Sequence, residues 1–242
     1  MNEIVTALWA AAKRLFHPRI FMIMLWPMLF ALAFWGLLSW IFWADWLAIL
    51  NNWMQPADIY LQQYAWAWLA GIAGTLLLLL IIAPLALLTA ILIAATFAMP
   101  MMVDFVAGKD FPDLSRYHGG TVLGSVWNAL TATAIFTGLW LLSLPLWLIA
   151  GLGSIVSILL TAFLNQRLFC YDAVSAHADR AELALLMSGS KSSLYVIGII
   201  GALLYLVPIV NLIAPVYIGL VYIYFNLARL QRMRRNSQGD EK

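Results

Sequence analysis

The sequence predicts an all-α integral membrane protein, and three observations carry that prediction. Hydrophobic residues make up 64% of the chain and charged ones only 10%; a soluble domain averages about 45–50% and about 25%. The few charges gather into short intervals, which leaves uncharged runs long enough to cross a bilayer. The intervals also differ in sign. Lys13, Arg14 and Arg19 form one basic group, Lys109 and Arg116 a second, Arg167, Arg180 and Lys191 a third, and Arg229, Arg232, Arg234 and Arg235 a fourth. Ala44–Ala65 holds Asp45 and Asp58 and no Lys or Arg. The positive-inside rule places the four basic groups in the cytoplasm and the acidic interval outside.

A length of 242 residues suits a single membrane domain, 1–242, with no second soluble one. No cleavable signal is expected, because Glu3 opens the chain and Lys13 and Arg14 follow the apolar stretch rather than precede it. The lone Cys170 excludes an intrachain disulfide and reads as a small apolar filler.

Residues 1–17 are expected to form an interfacial helix. Ile4, Val5, Leu8, Trp9, Leu15 and Phe16 recur at helical spacing, Lys13 and Arg14 close the helix, and Pro18 ends it. Residues 20–43 form an uncharged run long enough to span, since about 20 residues cross the hydrocarbon. Trp40, Trp43, Trp46 and Trp53 follow, and Tyr64, Trp66 and Trp68 open the next helix. They read as an aromatic belt at the outer interface, with QPADIYLQ in the loop between. Residues 66–103 are expected to be one long transmembrane helix, bent near Pro84 and projecting past the bilayer. Asp104–Gly120 reads as a turn-rich cytoplasmic loop.

The two later uncharged runs both begin and end at basic segments, so each reads as a hairpin that returns to the side it left. Residues 121–166 leave full and partial crossing both open. In 192–228 the arms Ser192–Leu206 and Val216–Ala228 span only roughly 20 Å each, short of a core of about 30 Å. Pro208, Asn211 and Pro215 lie between them. They predict the tip of a re-entrant hairpin, a form permitted only where protein or water covers the open backbone. Pro208 frees the carbonyl of Leu204 and Pro215 that of Asn211, and the Asn211 amide is a candidate partner for such groups. Residues 229–242 read as a basic cytoplasmic tail.

No enzymatic constellation is present. His17, His118 and His177 sit in polar flanks at no metal-ligand spacing, and no metalloprotease, thiol-pair, serine-elbow or phosphate-loop motif occurs. The chain is therefore expected not to be an enzyme and to need no cofactor or metal. No ionisable residue lies inside a spanning run, which argues against a proton-coupled carrier. The broken late helix offers backbone N–H groups, which favour anions. Gly120-x-x-x-Gly124 and Gly198-x-x-x-Ala202 suit close helix packing.

The stretch QRLFCYDAVSAHADRAELALLMSGSK followed by LYLVPIVNLIAP resembles the C-terminal half of the CysZ-type sulfate permeases, in the superfamily shared with the etoposide-induced membrane proteins. Leu25-Trp26-Pro27 matches an early Leu-x-Pro-like element, and Pro208, Asn211 and Pro215 match a late Pro-x-x-Asn-x-x-x-Pro-like tip. MPMMVDFVAGKDFPDLSRYHGG is similar to uncharacterised proteobacterial members rather than to the sulfate permeases themselves. The resemblance implies a bacterial inner-membrane protein with two long spanning helices and two partly inserted hairpins. It also implies a homo-oligomer that moves sulfate inward. The permeases carry a Gly-Leu-Arg element after the first helix; here Arg19-Ile20-Phe21 stands nearby, with the arginine two positions early.

Two functions follow as expectations. One is a permease or channel for a small oxyanion, with Arg19, Lys13 and Arg14 as candidate substrate-binding residues. The other is a non-transporting scaffold or accessory protein of the envelope. The expected partners are the lipid bilayer, a small oxyanion and further copies of the chain; nucleic acid is not among them.

Overall fold

The computed structural model describes residues 2–63, 67–93, 97–149, 151–189 and 191–240. Every regular element among them is helical. The order is α1 (Asn2–Leu15), α2 (Pro18–Gln63), α3 (Ala67–Ile93), α4 (Met99–Asp110), α5 (Val122–Leu142), α6 (Leu152–Val174), α7 (Arg180–Ser188), α8 (Lys191–Leu204) and α9 (Ala214–Asp240). Short 3-10 turns at Leu144–Leu148 and Val210–Leu212 sit at the two hairpin tips. Among the described residues four helices are long and apolar enough to cross a membrane: Pro18–Met54, Ile72–Ala90, Leu123–Leu142 and Leu152–Val174. Most of their surface is exposed and apolar, as in Phe30, Leu80, Leu130 and Ile155, which water would not tolerate over such an area. The chain is an all-α, multi-pass integral membrane protein.

The chain divides into two units, Met22–Ala98 and Met1–Phe21 with Met99–Lys242. In the first, α2 and α3 run antiparallel. Trp35 Nε1 donates to Thr89 Oγ1 at 3.0 Å, and Thr89 Oγ1 donates to the Leu85 carbonyl at 2.8 Å. Toward the other end Asn51 packs on Gly74. Small polar groups are a common way to join helices that gain nothing by hiding apolar surface from lipid. Pro84 lies within α3 without ending it.

In the second unit α9 is the axis. Ile218–Leu227 is buried on every face, as expected of a helix that is apolar all round. Helix α1 lies antiparallel on it through Ala7 and Ala11, whose short side chains permit close approach. Tyr217 donates its hydroxyl to the Leu8 carbonyl at 3.1 Å, and Arg232 pairs with Glu3. Tyr222 donates to the Leu194 carbonyl of α8 at 2.8 Å. Phe169 of α6 sits 5.8 Å from the Tyr222 ring. Helices α6 and α8 meet at Gly198, where a Cβ would fall 2.5 Å from the Ala162 carbonyl oxygen. Helices α5 and α6 close into a hairpin, with Gly124 against Tyr171 and Asn128 donating to the Arg167 carbonyl at 2.8 Å.

Several boundaries differ from those read off charge and length. Helix α2 does not stop at 43; its backbone stays helical through the QPADIYLQ segment to Gln63. A helix satisfies its own backbone, so leaving the hydrocarbon gives it no reason to end, and Ala44–Gln55 contains no glycine or proline. The expected 66–103 helix is instead α3 and α4, separated by residues that include 94–96, which lie outside the described set. The first seven residues of the expected 104–120 loop belong to α4. Met99, Met102, Val103 and Val106 recur at helical spacing and are buried, so packing holds the helix through the charges that follow. Helix α6 passes 166 and runs to Val174. The 229–242 segment continues α9 to Asp240 rather than forming a separate tail.

Candidate functional site

The joint between α1 and α2 gathers the N-terminal basic residues. Pro18 takes the first position of α2, where its missing N–H costs nothing. The His17 carbonyl accepts the N–H groups of Ile20 and Phe21, and His17 Nδ1 accepts the Arg19 N–H at 3.2 Å. This capping turn directs the imidazole at Phe105 of α4, with ring centroids 4.8 Å apart. Arg19 Cζ lies 5.6 Å from the centroid of that same ring and Lys109 Nζ 5.7 Å. Phe105 and Lys109 are one turn apart on α4 and therefore share a face. Two full cations thus use one aromatic ring, held by cation–π attraction. Both are exposed, and neither forms an ion pair among the described residues. Lys109 Nζ is 3.5 Å from His17 Nε2. Partial desolvation, then the charges of Lys109, Arg14 and Arg19, lower the His17 pKa below its usual value and favour neutral imidazole at pH 7. Arg19 and Lys109, neither of them bridged to a carboxylate among the described residues, are suited to a tetrahedral oxyanion, which an Arg fork meets bidentately.

The three basic residues singled out in the sequence occupy different situations. Arg14 is bound to Asp110, with Nη2 to Oδ1 at 2.5 Å and Nε to Oδ2 at 3.1 Å. Tyr224 also donates its hydroxyl to Asp110. Burial would raise the Asp110 pKa, but the hydrogen bonds from Arg14 and Tyr224 and the charges of Arg14 and Lys109 outweigh it and hold the carboxyl below its usual value. Lys13 lies over Trp9 at 5.3 Å. Arg19 remains exposed beside Phe105. His17, Phe105 and Lys109 were missed as members of this cluster. The signal was the spacing of Phe105 and Lys109 on a segment read as loop.

At the late tip the chain turns through Tyr205–Ile213. The Leu204 carbonyl, freed by Pro208, accepts the Val207 N–H at 3.2 Å. Asn211 is exposed, and no hydrogen bond of its side chain occurs among the described residues. The backbone therefore covers the Leu204 carbonyl, by a tightened turn in place of the amide. The fourth basic group is largely committed. Arg234 binds Glu182 at 2.7 and 2.8 Å, the His177 carbonyl at 2.7 Å and the Ser115 carbonyl at 2.9 Å. Arg229 caps the end of α7 through the Leu186 and Gly189 carbonyls at 3.1 and 3.0 Å.

No curated protein and no solved structure matches the chain. The family described as Sulfate transporter CysZ/Etoposide-induced protein 2.4 matches residues 7–215. That match covers most of the sequence, including the His17–Arg19 joint, α4, the α5–α6 hairpin and the Pro208–Pro215 tip, and the chain belongs to this family.

Proposed function

We propose that the protein is a permease or channel for a small oxyanion, with sulfate the first candidate, in the bacterial inner membrane. The observation that carries this reading is the pair Arg19 and Lys109 on the Phe105 ring, two exposed cations that form no ion pair among the described residues. Family membership supports the transport class. In this reading Arg19 and Lys109 capture the anion, His17 orients Arg19 through its backbone, and Arg14 holds α1 against α4. Lys13 adds a diffuse field. Both termini face the cytoplasm by the charge rule.

Helix α8, 14 residues long, reaches only about 21 Å. That length supports a late hairpin that enters partway and turns back. A tip of that kind needs a cover, which favours a homo-oligomer. The test is uptake of labelled sulfate into liposomes holding the pure protein. Arg19→Gln and Lys109→Gln are each expected to lower flux about tenfold or more, a loss of about 1.4 kcal/mol or more for a charge-assisted contact, with insertion unchanged. An unmodified protein that carries no sulfate, phosphate or other small oxyanion would instead point to the scaffold reading, which the uncharged interior of the spans favours.

A further inference from the structure

A second basic site lies away from the α1–α2 joint. Helices α6, α7 and α8 line an open cavity of about 480 Å³. Arg167 and Gln166 of α6 and Lys191 and Ser192 of α8 line it, with Phe163 and Tyr195 on its apolar wall. No carboxylate lines it. Neither Arg167 nor Lys191 forms an ion pair among the described residues. The contrast with the cavity between α1 and α9, about 310 Å³, is informative: there Arg232 is balanced by Glu3. The α6–α8 cavity carries two uncompensated cations and two neutral hydrogen-bonding side chains, the donor set of a phosphate-class oxyanion. Asn128 holds the Arg167 carbonyl at 2.8 Å and so fixes the backbone that presents the guanidinium.

The cavity's form indicates how the oxyanion is delivered. It is several times larger than one tetrahedral anion, and much of its wall is apolar. Both cations stand where uncharged stretches of helix end: α6 is uncharged from Leu152 to Gln166, and α8 is uncharged after Lys191. That is the level at which bilayer headgroups lie. We propose that this cavity binds the phosphate of an anionic phospholipid, with Arg167 and Lys191 on the phosphate and Phe163 and Tyr195 against the glycerol and upper acyl chain. The site is separate from the Arg19–Lys109 cluster and does not depend on its role in transport.

The test uses the purified full chain in neutral detergent, with phosphatidylglycerol in mixed micelles, phosphatidylcholine and inorganic phosphate as separate probes, read by native mass spectrometry. Phosphatidylglycerol is expected to bind, and the Arg167→Gln/Lys191→Gln variant to weaken it about tenfold or more, since each surface cation contributes a several-fold factor. Lys191→Arg is expected to stay within about twofold. Should the double variant fail to fold, Lys191→Gln alone reads the same loss at about threefold or more. Tight inorganic phosphate binding with the same loss supports the oxyanion site and overturns the lipid as its source. Equal phosphatidylglycerol affinity in the neutralised and unmodified chains, or phosphatidylcholine binding as tightly, overturns the proposal.

Discussion

Arg14 grips Asp110 with two parallel contacts, Nη2 to Oδ1 at 2.5 Å and Nε to Oδ2 at 3.1 Å, and so joins α1 to the end of α4. Tyr224 of α9 donates to the same carboxylate, so one acidic side chain fastens three helices. Each partner is about a quarter exposed, at 26% and 24%, which leaves the pair worth more than a surface bridge and less than a buried one.

Arg14→Gln and Asp110→Asn are each expected to destabilise the protein by about 1–2 kcal/mol at pH 7. The Asp110 pKa is held below its ordinary 3.8. Its stabilising effect is therefore complete above that value and is lost as pH falls through the depressed one. Melting of wild type and Asp110→Asn in detergent should differ at pH 7 and converge in strong acid. A constant gap at every pH would remove the ion pair from the account.

His177 gives an acid dependence in a milder range. It is buried, at 1% exposure, and its Nδ1 has no partner among the described residues. Burial, then the charge of Arg116, pushes its pKa down to about 4 from 6.5. The unfolded chain takes up the proton first, so stability is full above 6.5 and falls as pH drops toward 4, by about 2 kcal/mol at pH 5. His177→Gln should flatten the melting curve between pH 7 and 5. If the variant keeps the wild-type slope, another group is responsible.

Gly198→Ala tests the α6–α8 contact. Its Cβ would fall 2.5 Å from the Ala162 carbonyl oxygen, and backbone has little room to yield. A loss of about 1–3 kcal/mol is expected, the usual cost of overpacking. Gly138→Ala, which meets nothing within 4 Å, is the matched control and should melt with wild type or slightly above.

The late hairpin is tested by accessibility. In a Cys170→Ala background, a cysteine at position 210 should resist an impermeant thiol reagent in intact cells, while one at 55 reacts and one at 238 does not. Rapid modification at 210 would show a full crossing. Asn211→Leu should change melting by less than about 0.5 kcal/mol, because the side chain is exposed and Leu204 already has its bond.

The all-helical membrane class was legible because it depends on uncharged length, and long apolar helices cover Pro18–Met54, Ile72–Ala90, Leu123–Leu142 and Leu152–Val174. Helix ends were not. Asp104, Lys109 and Arg167 resembled loop residues by charge, yet each lies on a helix whose opposite face is packed, and charge composition does not record a face. The basic cluster was half visible: Arg19 was legible as a cation beside the first span. Phe105 and Lys109 reach it only through a contact nearly ninety positions away, which no local spacing encodes. The commitment of Arg14 was hidden for the same reason, since Asp110 is 96 residues distant.

The burial of α9 has a consequence for biogenesis. Its partner α1 leaves the ribosome first, and the contact between Leu8 and Tyr217 must wait for 209 further residues. Until then Ala7 and Ala11 have no helix to cover them, and Val5 and Trp9 give α1 an apolar face that the bilayer surface can hold. Closing so long a loop late in synthesis is slow. The unit built around α9 is therefore completed only once α9 has been made, from helices already in the membrane, and a ribosome stalled before residue 214 leaves α1 on the lipid with no axis to dock against.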